Sequence, residues 1–159
     1  MSTDLLNIAG IFKTNTGLFR RTLDGIPPER LLEAPGNDSN HLLWIAGHVV
    51  VHRAVVLKIL GKEWSAPWEG LFVRGARLTD PEKYPGIDEL LQTWADVSDK
   101  LATSLADASP EALAEPVSRG MTLDGKVSGR IAFLALHESY HVGQMAYLRK
   151  WLGFGQAVG

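Results

Sequence analysis

The chain has no cysteine in its 159 residues. That absence excludes disulfides and thiolate ligands, so any bound metal must be held by nitrogen and oxygen donors. It also means that thiol chemistry, if there is any, must use a thiol brought by a second substrate. Charge is nearly balanced, with a formal net charge of −2 and no Lys/Arg cluster, which leaves no electrostatic case for nucleic acid. No apolar run approaches the ~18 residues of a membrane span. Met1-Ser2-Thr3-Asp4-Leu5 lacks the basic region and apolar core of a signal peptide. Repeats and low-complexity tracts are absent. Together these absences predict a soluble cytoplasmic protein that engages neither nucleic acid nor membrane.

What is present is an apolar content of 45%, enough at this length for one packed domain over residues 1–159. Four stretches repeat apolar residues at helical spacing. The first runs from about Asp4 to Leu23, with Leu5, Ile8, Phe12, Phe19 and Leu23 inward. It ends at Gly25-Ile26-Pro27-Pro28, and Glu29 to Leu32 can add a short turn. The second spans about Asn40 to Leu60, with Ser39 as the expected N-cap and Gly61 as the stop. The third starts near Ile87 and carries Leu90, Leu91, Trp94, Val97, Leu101 and Leu105, with Pro110 beyond its end. The fourth begins near Ser128, read as an N-cap, and continues to Leu152. With so little β-pattern between them, these segments predict an all-α four-helix bundle with a long link between helices 2 and 3. That link, Gly61 to Gly86, holds Trp64 and Trp68, and either covers a site or packs its tryptophans onto the bundle. Within the second link, Val117 to Leu123 is expected to be extended. Pairing of two bundles into a homodimer is compatible with the apolar content of the long link.

The chemistry sits in five histidines, all within two of these helices. His137 and His141 stand four residues apart in His137-Glu138-Ser139-Tyr140-His141, so both rings share one helix face one turn apart. The string fits H-E-x-x-H, the zinc-protease pattern whose Glu is the general base. That pattern takes its third ligand from downstream. Here 18 residues follow His141 and none is His, Asp, Glu or Cys, which rejects the protease reading. The third ligand must come from upstream, where His48 and His52 form a second pair four residues apart. His41 lies two turns before His48 and reads as a helix-start or rim residue. If the two helices are neighbours, histidines from both can reach one cation and leave positions open for water or substrate.

The order Trp44-x-x-x-His48, then His137-Glu138-x-x-His141-x-Gly143-Gln144, resembles the DinB-like (YfiT-like) superfamily of metal-binding four-helix bundles. The resemblance covers nearly the whole chain, through the helix order, the long link and the last-helix motif. It implies His48, His137 and His141 as metal ligands. His52 has no role in that pattern; it could replace His48, bind a second ion or support a ligand, the last being preferred. Family members with assigned activities resemble metal-dependent transferases of low-molecular-weight thiols, such as bacillithiol or mycothiol, or thiol-dependent isomerases. S-transfer is therefore the leading expectation, with hydrolysis second and non-catalytic metal binding as the rival from another class. Imidazole donors suit zinc, nickel, iron and copper; zinc and nickel are the first two expectations, followed by iron or manganese. Glu138 is placed to orient a ligand or act as a base, or else to form a helix-surface salt bridge. Gln144, one turn past His141, can hold bound water or fix an imidazole, or else bond a neighbouring helix. Tyr140, Tyr147 and Arg53 are candidate substrate contacts, and Trp44 is a candidate apolar wall, each with a packing role as the alternative.

Overall fold

A computed structural model describes residues 3–36 and 38–157, so the N-terminal reading rests partly on Met1 and Ser2, which lie outside the described residues. The protein is all-α, with no strand among the described residues. Four helices are long: α1 (Thr3–Leu23), α2 (Leu42–Ile59), α3 (Ile87–Asp107) and α5 (Val127–Trp151), with the short α4 (Pro110–Ala114) before the last. Helix α1 packs on α5 and α3, and α2 packs on the same two helices. Of the residues read as inward, Leu5, Phe12, Phe19 and Leu23 on α1 and Leu90, Trp94, Val97, Leu101 and Leu105 on α3 are buried, while Ile8 and Leu91 are half-buried against the core.

Apart from His48, His52, Arg53 and Lys58, helix α2 is apolar all round, and most of it is buried accordingly. Contrary to the expectation of no span-length apolar segment, Leu42–Ile59 is long and apolar enough to cross a membrane by length and mean hydropathy, 1.6. Yet 78% of it is buried inside the fold, where α3, α5 and the long link cover it.

Several local expectations are corrected. Ser39 does not cap α2; its N–H bonds to the Gly36 carbonyl in a turn, and the chain stays extended to His41. His41 is the cap: its Nδ1 accepts the Trp44 N–H at 3.1 Å. Ser128 is likewise inside α5. Asp124 organises that helix start, accepting the Lys126 N–H at 2.9 Å and the Ser128 hydroxyl at 3.3 Å. The expected extended piece at Val117–Leu123 is a loop, because the chain doubles back with only an isolated antiparallel bridge between Pro116 and Lys126. Pro110 does lie past α3, and opens α4, where the Ser109 hydroxyl accepts the Ala112 N–H.

The apolar core divides into two clusters. One contains Phe19, Val49, Val50, Phe72, Trp94 and Met145; the other contains Leu5, Phe12, Val56, Leu57, Leu101 and Ile131. Between them, at mid-height, runs a polar layer of Asn15, Thr16, Arg53, Ser98, Glu138 and Ser139, linked by hydrogen bonds. The histidines on α2 and α5 flank this layer in sequence.

Candidate metal centre

Helices α2 and α5 are packed against each other, and the two i, i+4 pairs meet across their contact. Ring centroids lie 4.2 Å apart for His48–His52, 4.4 Å for His52–His137, 4.4 Å for His137–His141 and 4.7 Å for His48–His141. The four imidazoles thus close a ring of near contacts, with His48 and His137 at 5.5 Å across it. His41 stands apart, its ring edge-on to Tyr84 and its Nδ1 used as the helix cap.

Each imidazole is tuned by its surroundings. His48 Nδ1 lies 2.6 Å from the carbonyl oxygen of Phe72, which can only accept, so that nitrogen carries the proton and Nε2 keeps its lone pair. His141 Nδ1 lies 2.7 Å from Gln144 Oε1, with the Gln144 amide donating to the Tyr140 hydroxyl at 3.3 Å, which sets the same tautomer. Burial holds all four rings below the ordinary histidine range. His137 is lowered to about 4, by desolvation first and then by its histidine neighbours. His52 is lowered to about 3, again by desolvation and then the nearby rings. His48 and His141 are lowered by desolvation, against the opposing pull of Phe72 and Gln144. At neutral pH the cluster is therefore uncharged and offers lone pairs.

These residues fit a divalent cation. His137 Nε2 and His141 Nε2 lie 3.1 Å apart, close to the roughly 3.3 Å expected for two nitrogens each ~2.0–2.1 Å from one tetrahedral ion. Since His141 Nε2 is unprotonated, a cation between the two satisfies both lone pairs. The ligand atoms of His48, His52 and His137 lie within 4.8 Å of one another. His52 Nδ1 is buried with no hydrogen-bond partner, which costs about 1–3 kcal/mol when nothing binds there. His137 Nδ1 is also unpartnered, but it is the ring nitrogen turned away from the His141 contact, and an ion at Nε2 does not satisfy it. This compact triple shares two members with the set that the family resemblance implies, and differs in taking His52 in place of His141. The 3.1 Å contact keeps His141 in the centre as well.

Glu138 is neither a base facing the site nor half of a surface salt bridge. It is 1% exposed and grips Arg53, also 1% exposed, through two bonds of 2.8 Å from Nε and 2.6 Å from Nη2. Burial pushes its carboxyl up, and the Arg53 guanidinium pulls it back. Arg53 is not a substrate contact, since all five of its N–H groups are engaged: the others go to Thr16 Oγ1, Ser98 Oγ and the Phe12 carbonyl. Its guanidinium also stacks 3.6 Å from the Trp94 ring. Arg53 follows His52 and Glu138 follows His137, so the ion pair ties α2 to α5 one residue from a histidine on each. Tyr140 and Tyr147 are exposed on α5, and only Tyr140 touches the centre, its ring edge-on to His141.

Sequence reasoning missed Phe72. The long link folds back so that Phe72 is fully buried, its carbonyl holding His48. Trp44 stacks on His48 and its Nε1 donates to the Leu71 carbonyl, which pins the same turn (Glu69–Leu71). The available signal was Gly47, a glycine inside an apolar helix, which tends to mark close packing. A Cβ at Gly47 would lie 2.4 Å from the Phe72 ring. A surface groove of about 910 Å³ lies elsewhere, between Lys58, Trp64, Trp68 and Lys100, and none of the histidines lines it.

Paired histidines that face each other on two adjacent helices of an all-α protein fit a metal-binding protein. The sequence pattern of the DinB superfamily matches residues 11–145, and the chain belongs to that superfamily. No curated protein matches the chain.

Proposed function

We propose that the four long helices form the bundle of this superfamily and that the chain is a divalent-metal-dependent enzyme acting with a low-molecular-weight thiol. The observation that carries this reading is the convergence of neutral imidazoles, His48 from α2 with His137 and His141 from α5, with two Nε2 atoms 3.1 Å apart. Imidazole donors suit zinc, nickel, iron and copper, and zinc or nickel is the ion proposed here. Held by uncharged ligands, the ion keeps its full charge and supplies Lewis acidity that lowers the pKa of a thiol or a water. The Phe72 carbonyl and Gln144 hold His48 and His141 in orientation. Trp44, stacked on His48, gives an apolar wall. With no cysteine in the chain, the thiol is a cosubstrate, and the reducing cytoplasm is the compartment that supplies one.

The test is elemental analysis of the purified, tag-free protein beside His48→Ala and His137→Ala. The expected result is about one equivalent of transition metal, lost in both variants. Incubation with a small thiol and an activated aryl halide, read by mass spectrometry, is then expected to give the thioether, the C–S bond replacing the carbon–halogen bond with release of halide and the thiol proton. Hydrolysis without thiol would replace S-transfer with a hydrolase. No metal after reloading would end the enzyme reading. The fourth imidazole, His52, favours a second reading, a non-catalytic metal-binding protein whose ion is fully enclosed by ligands.

A further inference from the structure

We infer that His52 is a fourth ligand, so that this centre takes two imidazoles from each helix. The inference rests on the metal-binding part of the reading above. With four imidazoles a tetrahedral ion is closed, as in the second reading, and a thiol can bind only where the ion takes more than four ligands. A set of three leaves His52 unexplained. Its ring is one turn from His48 on the same face, 4.2 Å away, and 4.4 Å from His137 on the opposite helix. No other pair of ligand-bearing rings is closer than the His48–His52 pair. Its nitrogen shares the 4.8 Å group with His48 and His137, while His141 joins through His137 at 3.1 Å. All four consecutive ring-to-ring distances thus fall between 4.2 and 4.7 Å.

The hydrogen bonds divide the rings by helix position. His48 and His141 each give Nδ1 to an oxygen, the Phe72 carbonyl and Gln144, which is how a ligand is usually oriented. His52 Nδ1 has no such oxygen and is buried. A residue that merely supported a ligand would hydrogen-bond to one, and His52 has no hydrogen bond to any of the three. Coordination through Nδ1 would supply the missing partner. The Arg53–Glu138 pair holds His52 and His137 in opposition, because each histidine directly precedes one member of that pair.

The experiment is X-ray absorption on the zinc- or nickel-loaded wild-type protein, with imidazoles counted by their multiple scattering, beside His52→Ala and His52→Gln. Four imidazoles in the wild type and three in the variants are expected. Metal affinity, measured against a chelator, is expected to fall by on the order of 10²-fold or more, at or beyond the top of the range for losing a mere supporting contact. Thermal unfolding of the metal-free variants is expected to match or exceed wild type, since the change removes a buried unpaired nitrogen. Three imidazoles in the wild type, with affinity unchanged in the variants, would overturn this inference and leave the three-histidine site standing. A wild-type protein that takes up no metal would overturn both. If the variants fail to fold, the wild-type count alone decides.

Discussion

Replacing Glu138 by Gln tests whether this residue is structural or catalytic. The carboxylate accepts two N–H groups of Arg53 at 2.6 and 2.8 Å, and both side chains are 1% exposed. Removing one partner of such a pair leaves an uncompensated buried charge, at about 3–5 kcal/mol. Gln keeps the shape and one acceptor, so the low end, about 3 kcal/mol, is expected. Against a total stability of about 5–15 kcal/mol this is a large fraction. For a chain of this length it lowers Tm by roughly 6–12 °C. The assay is thermal unfolding followed by circular dichroism with chelator present, so that metal binding does not mask the loss. The folded fraction, given saturating metal well below Tm, is expected to stay active, with metal affinity lowered by about 10-fold because the pair no longer holds His52 and His137 as firmly. Arg53→Met/Glu138→Leu is expected to be more stable than Arg53→Met alone, because it leaves no orphaned carboxylate. An unchanged Tm with activity lost 100-fold or more would refute this argument and return Glu138 to the role of base.

Four further outcomes are expected. Gly47→Ala drives a methyl into the Phe72 ring, 2.4 Å away, and is expected to cost about 1–3 kcal/mol by overpacking while loosening His48; weaker metal binding beside lower Tm checks it. Gly129→Ala places a Cβ 2.0 Å from Asp124 Oδ1 and is expected to fray the start of α5, seen as faster amide exchange at residues 126–130. His41→Ala removes the cap on the Trp44 N–H and is expected to cost about 1 kcal/mol in denaturant unfolding, with metal content unchanged. The metal-free protein is expected to lose stability as pH falls. Its histidines are lowered in the fold, His52 to about 3 and His137 to about 4, so below about 6.5 the unfolded chain takes up protons that the fold excludes. Stability should be level from pH 7 to 8 and decline from about 6.5 towards 4; a flat profile there would show that the rings are solvated.

The helices and the candidate ligands were legible because both follow from short-range spacing. Apolar residues at three- and four-residue intervals mark α1, α2, α3 and α5, and the same geometry stacks His48 over His52 and His137 over His141. Helix starts were read less well. Ser39 and Ser128 have cap chemistry, but His41 and Asp124 do the work, since which side chain reaches an N–H depends on loop backbone that no local rule specifies. The sequence by itself determined helical class, the stacking of each histidine pair on one helix face and the lack of a cysteine among these residues. Only tertiary structure decided what surrounds those histidines. Glu138 faces Arg53, 85 residues away in the chain, and the Phe72 carbonyl reaches His48 across 24. A spacing rule carries information over one or two turns, while a desolvated ion pair or a carbonyl aimed at an imidazole exists only once distant elements have packed. The fourth ring is the sharpest case: His52 follows His48 by one turn in any helix, but its burial with an unpaired nitrogen opposite His137 arises from the docking of α2 against α5.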